Sequence, residues 1–120
     1  MDINRVTLVG RLVRDPEVVK VAGGKSVTRL SLATVHARKL ADGTTQNSVA
    51  FHAVALWGTL GEKAAAMTRK GKRVLVEGRL QYFPSRKDAE DERPRSEIVG
   101  DTLVLLDPKP ATPAGAQGKA

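Results

Sequence analysis

Large apolar residues in this chain recur mostly at every second position, the period of a strand that buries one face. Arg5 to Leu12 alternates, with Val6, Leu8 and Gly10 on one side, and it stops before Asp15-Pro16, a turn signal. Val27 to Val35 sets Leu30, Leu32 and Thr34 on one face, and Gly23-Gly24 before it reads as a hairpin turn. Val49 to Trp57, Arg73 to Gln81 and Glu97 to Leu106 complete a set of five strands. In the fourth, Val74, Val76, Gly78 and Leu80 oppose Arg73, Glu77, Arg79 and Gln81. One segment departs from this period. Thr59-Leu60-Gly61-Glu62 has the spacing of a capping box, and Lys63 to Lys70 is rich in helix formers. Gly71 is expected to end that helix in the left-handed region, with Arg69 and Lys70 at the cation-favouring end of the dipole.

Five strands with one helix between the third and fourth is the order of an OB-fold, an all-β, five-stranded Greek-key barrel. The expected domain covers residues 1–107. The Pro/Ala/Gly-rich remainder, residues 108–120, has no large apolar side chain to offset the entropy of ordering and is expected to be a disordered tail. No internal repeat is visible.

Within the third strand, His52, Val54 and Leu56 share one face, and Phe51, Ala53, Ala55 and Trp57 share the other. Val54 and Leu56 suit a core. Phe51 and Trp57 are then left about 20 Å apart on the opposite face, separated only by alanines on that side. Aromatics make up 3% of the chain, so two large rings outside the core need a reason. Bases of a single strand stack on such rings while neighbouring cations follow the phosphates; packing under a loop or against another subunit is the competing use.

Charge is compatible with the first use without deciding between the two. The chain has 20 Lys and Arg against 13 Asp and Glu, a formal net charge of +7, and the excess lies in the first two thirds. A basic domain suits a polyanion. Arg73 and Arg79 border an outward strand face and Arg38-Lys39 opens what reads as a long loop, which ranks these four first for phosphate contact. Arg5, Arg11, Arg29, Lys70, Lys72, Arg86 and Lys87 are further candidates. The acidic run from Asp88 to Glu92 reads as a solvated loop tip rather than a metal site. With no cysteine, disulfides and thiolate metal sites are excluded, and no apolar run reaches the length of a membrane helix. The N-terminus has no signal-peptide pattern, so a soluble cytoplasmic, nucleoid-associated protein is expected. Gly23-Gly24-Lys25-Ser26 lacks the upstream glycine and the following helix of a phosphate-binding loop. No catalytic constellation and no cofactor are expected.

Over residues 3–106 the chain resembles the bacterial single-stranded DNA-binding protein family. The likeness rests on Asn4-Arg5-Val6-Thr7-Leu8-Val9-Gly10-Arg11-Leu12, Arg14-Asp15-Pro16-Glu17, Leu30-Ser31-Leu32-Ala33-Thr34, Phe51-His52, Leu56-Trp57-Gly58, Arg69-Lys70-Gly71 and Val76-Glu77-Gly78-Arg79-Leu80. It implies single-stranded DNA as partner, bound with little sequence preference during replication, recombination and repair. It also implies base stacking on Phe51 and Trp57, where the family has a tryptophan and a phenylalanine respectively. His52 matches a histidine at the family's subunit contact, and Asn4 to Leu12 matches a subunit-pairing strand. A homo-oligomer, most often a tetramer, follows from the resemblance, with Val6, Leu8 and His52 as its interface. The chain departs from the family pattern at Arg38 and Ser85, where stacking tryptophans often stand. Tyr82 and Phe83, with cation–π or phosphate contact from Arg38 and Lys39, are the expected substitutes. The family's acidic tail tip has no counterpart here, so recruitment of repair enzymes by that route is not expected. The rival reading is a replication-restart accessory protein on the same barrel, acting mainly by protein docking.

Overall fold

The computed structural model describes residues 1–83 and 95–107. Six strands and one helix follow in the order β1 (Val6–Leu12), β2 (Glu17–Lys20), β3 (Ser26–Lys39), β4 (Thr45–Trp57), α1 (Gly58–Met67), β5 (Arg73–Phe83) and β6 (Arg95–Leu105). Each expected strand is present. β2 is an addition, a short strand hairpinned onto β3 through the turn that holds Gly23 and Gly24. The other five close a ring in the order β1-β5-β6-β4-β3 and back to β1. This is the five-stranded barrel with one helix expected of an OB-fold.

Closure depends on a close approach. β1 pairs with β5 from Val6 to Arg11, then reaches β3 through Arg11 and Leu12. At the crossing a Cβ on Gly10 would overlap the Ala33 carbonyl oxygen, so only glycine fits. The end of β1 is held on both sides, with Leu12 N–H donating to the Lys72 carbonyl and Val13 N–H to that of Ser31, each at 3.0 Å. Alternation puts Leu12, Leu30, Leu32, Val54, Leu56, Val74, Val76 and Ile98 inside, joined by Ala64 of α1. Val6 and Leu8 pack against the same core.

The helix starts and stops differently from the sequence expectation. Gly58, at φ +66°, lets β4 turn straight into α1 with Trp57 as its N-cap and no side-chain cap bond. Thr59 and Glu62 form no capping box, because Glu62 accepts a 2.8 Å bond from the Ser26 hydroxyl across the chain. Gly71 is not the stop. α1 ends at Met67, where the Thr68 hydroxyl and N–H both return to the Ala64 carbonyl, at 2.7 and 2.9 Å. Arg69 and Lys70 lie beyond the last turn and leave the dipole to no cation. The Lys70 N–H instead donates to Asp15 at 2.8 Å.

The β3–β4 hairpin is longer than the pattern implied. Its pairing runs from Val27↔Trp57 to Lys39↔Thr45, so Arg38 and Lys39 end a strand rather than open a long loop. Beyond Val35 the ribbon is exposed on both faces.

Beneath α1, Gly61 packs closely on Thr28, and the fully buried Thr28 hydroxyl has no hydrogen-bond partner among the described residues. An unsatisfied buried hydroxyl costs stability that an isosteric methyl does not. Thr28→Val is therefore expected to raise the unfolding free energy by about 1 kcal/mol, read as a higher urea midpoint at unchanged slope. A lower midpoint would show that the hydroxyl has a partner in solution.

Candidate nucleic-acid interface

Outside the barrel, β3, β4, β6 and β5 lie side by side and present one continuous face. Strand register lines up Arg29, Ala55, Val99 and Arg79 as one row across it. Small residues fill the middle of the row and a guanidinium stands at each end. Further along the strands, Ser31 is beside Ala53 and Glu97 beside Gln81; beyond them, Ala33 pairs with Phe51 and Arg95 with Phe83. The pairing of β4 with β6 covers only Val54–Leu56 against Ile98–Gly100, and past it a groove opens between the strands.

Two adjoining cavities make that groove. One, about 290 Å³, is lined by Arg14, Arg29, Phe51, His52, Ala53 and Glu97, among others. The second, about 360 Å³, is lined by Arg29, Ala53, Phe83, Arg95, Ser96 and Glu97. Phe51 is 69% exposed, so its ring is open for stacking. Phe83 is half-buried on the same face. Tyr82 is exposed but, one residue earlier, points to the opposite side of β5. Only Phe83 of the pair shares the groove.

Trp57 points outward as expected and is 47% exposed. It does not line either of these two cavities. Ala55 between the two rings is buried, and Trp57 borders a separate hollow of about 490 Å³ with Lys25, Ser26, Gly58 and Glu62. The two expected stacking rings thus belong to two neighbouring stations.

Period two also separates the hairpin cations. Lys39 shares the face of Phe51, whereas Arg38 is on the reverse face with His36, Gln46 and Ser48, and its Nη2 donates to Gln46 at 3.2 Å. Arg38 therefore does not stand beside the Phe51 ring. Arg5 bonds Asp101 at 3.0 Å and lies 3.6 Å from Glu77. Bonds from the Thr102 hydroxyl and then from Arg5 hold the Asp101 carboxyl below its ordinary value. Arg11 donates to the Gly71 carbonyl at 3.1 Å and is paired in register with Arg73. Arg5, Arg11 and Arg73 thus lie on the outer side of β1 and β5, away from the groove. Lys70 is exposed and Lys72 half-buried in the turn before β5. Arg86 and Lys87 lie outside the described residues, as do Ser85, the acidic run from Asp88 to Glu92 and the expected tail.

The expected interface residues of β1 need correction. Val6 and Leu8 turn into the barrel, and the outward side chains are Arg5, Thr7, Val9 and Arg11. His52 is half-buried on the inner face, its Nε2 2.9 Å from the Thr34 hydroxyl. Sequence reasoning missed Arg14, Arg95 and Glu97. Alternation around buried Ile98 already turned Glu97 outward, but only the ring order brings it beside Ala53.

A family model described as the single-strand binding protein family matches residues 3–106. Among relatives, the single-stranded DNA-binding protein of Xylella fastidiosa is 40% identical over 104 residues, covering 87% of this chain and 63% of that protein. That of Xanthomonas axonopodis is 39% identical, with coverage of 87% and 58%. This chain thus spans about three fifths of such relatives' length. Among solved structures, wild-type single-stranded DNA-binding protein from Thermus aquaticus superposes with a TM-score of 0.77 at 28% identity, over 89% of this chain and 52% of that one. A Plasmodium falciparum protein solved in complex with single-stranded DNA has the same fold, with a TM-score of 0.77 at 24% identity and coverage of 89% and 97%.

Because Phe51 and Tyr82 contribute little to the core, Phe51→Ala and Tyr82→Ala should each change the unfolding free energy by less than about 0.5 kcal/mol. A large loss in a denaturant melt would mean that these rings pack against the domain rather than stand ready for a ligand.

Proposed function

The chain belongs to the single-strand binding protein family, and from that premise we propose that it binds single-stranded DNA in the groove between Phe51 and Phe83 by equilibrium contact, without catalysis. The observation that carries this reading is the four-strand outer face, where exposed or half-exposed rings and guanidinium groups alternate on a rigid sheet. Bases stack on Phe51, Phe83 and, at its separate station, Trp57; each stack contributes about 1–3 kcal/mol whatever the base. Arg14, Arg29, Arg79, Arg95 and Lys39 lie where phosphates of such a strand would pass. Arg38, on the reverse of the ribbon, suits a strand that wraps around the hairpin. Bound in this way, DNA is kept unpaired during replication, recombination or repair.

Self-association supports the same use. From Val6 to Gly10, β1 pairs with β5 on one side, and no partner strand occupies its other edge among the described residues. Beside that edge, Val9, Leu75 and Val104 form an outward apolar row across β1, β5 and β6. A second copy could add a strand to the edge and cover the row, with Val9 rather than Val6 or Leu8 as the side-chain contact.

Two measurements test these readings. Trp57 is the only tryptophan, so its fluorescence should be quenched on titration with oligo-dT. Affinity should fall steeply with salt, and Arg79→Ala should weaken binding and lower the log–log salt slope by about 0.7. Absence of quenching and of binding at low salt would sink the DNA-binding claim. For assembly, light scattering should give a multiple of the single-chain mass, and Val9→Glu should reduce it; an unchanged mass would remove this face from the contact.

A further inference from the structure

Among the described residues, the groove contains one group that a polyanion should repel. Glu97 lines both cavities, its side chain is only 14% exposed, and its Oε2 is 3.7 Å from the Arg29 guanidinium. A carboxylate on the floor of a phosphate-binding groove lowers affinity by like-charge repulsion unless it meets something other than phosphate. Its position suggests what that is. Phe51 lies on one side of it and Phe83 on the other, so a base stacked on either ring would bring an edge toward the carboxylate. The surrounding cations, Arg14, Arg29 and Arg95, leave phosphates a place at the rim.

An ionised carboxylate can only accept hydrogen bonds. Cytosine, adenine and guanine each offer an exocyclic amino group, and Glu or Asp accepting from cytosine N4 is an established pairing. Thymine offers one ring N–H flanked by two carbonyl oxygens, which face a carboxylate unfavourably. We propose that Glu97 reads the exocyclic amino group of a base in this groove and gives the protein a preference for amino-bearing bases over thymine at that one position. This rests on the reading of the groove as a single-stranded DNA surface and sharpens it, since stacking alone would treat all bases alike. The alternative role for Glu97, holding Arg29 in place, would act on every base equally.

The two are separated by anisotropy titrations of labelled oligo-dC, oligo-dT and an oligo-dC whose N4 atoms are dimethylated, at one salt concentration. The wild-type chain should bind dC about three- to tenfold more tightly than the dimethylated strand, the scale of one partly solvated charge-assisted hydrogen bond. Glu97→Gln should cut that ratio to below about twofold while binding dT at least as well as the wild type, because a buried negative charge is gone. Equal wild-type affinity for dC and its dimethylated form would overturn the proposal without any variant. So would a Glu97→Gln chain that tightens on all three strands by the same factor. Failure of every strand to bind at low salt would instead overturn the DNA-binding reading itself, and this inference with it.

Discussion

The pleat of β4 fixes both the core and the proposed binding face. Its inward side chains include Leu56 and Val54, fully enclosed by the barrel, and its outward ones include Phe51 and Trp57. A slip of one residue would exchange the two sets, burying the rings and exposing the core. β4 resists that slip because it is paired along its whole length with β3 and, at the barrel, with β6 on the other side. The hydrophobic free energy that closes the barrel is thereby also what orients the outer face. No separate device is needed to present the rings.

The electrostatics of that face are already partly satisfied before any ligand arrives. Arg29 faces Glu97, Arg5 faces Asp101 and Glu77, and Arg11 bonds a backbone carbonyl. All three arginines are substantially exposed, and exposed ion pairs contribute about 0–1 kcal/mol. A phosphate can therefore take over such a guanidinium at little cost, whereas Glu97, more deeply set, stays where it is. On the proposed reading, exchange of partners rather than capture by bare charge is the character of this surface.

Much of this was legible in the sequence because burial and alternation coincide within the barrel. The five strands and the outward turn of Phe51 and Trp57 follow from period two, the hairpin from the Gly23-Gly24 pair, and the position of the helix from the one segment that breaks the alternation. Where burial fades, so does the signal. The outer half of the β3–β4 ribbon, from His36 to Lys39 and from Thr45 to Ser48, has no core face to imprint a pattern, and it read as loop. The helix ends were set by partners distant in sequence: Ser26 draws Glu62 away from a capping box, and Thr68 closes the last turn before Gly71 is reached. Glu97 was hidden for a similar reason, since its neighbours Ala53 and Arg29 meet it only through the ring order of the barrel.

The same ribbon has a consequence for how such a protein can change. Its distal half contributes no side chain to the core, yet it carries Val35, Lys39, Val49 and Arg38 on two unlike faces, held by backbone pairing and by surface bonds such as that of Arg38 to Gln46. Substitutions there are judged by what the surface touches and hardly at all by whether the barrel folds. The arm is thus a region where ligand preference can drift while the scaffold stands still, and an arginine in place of an aromatic ring is the kind of exchange it tolerates.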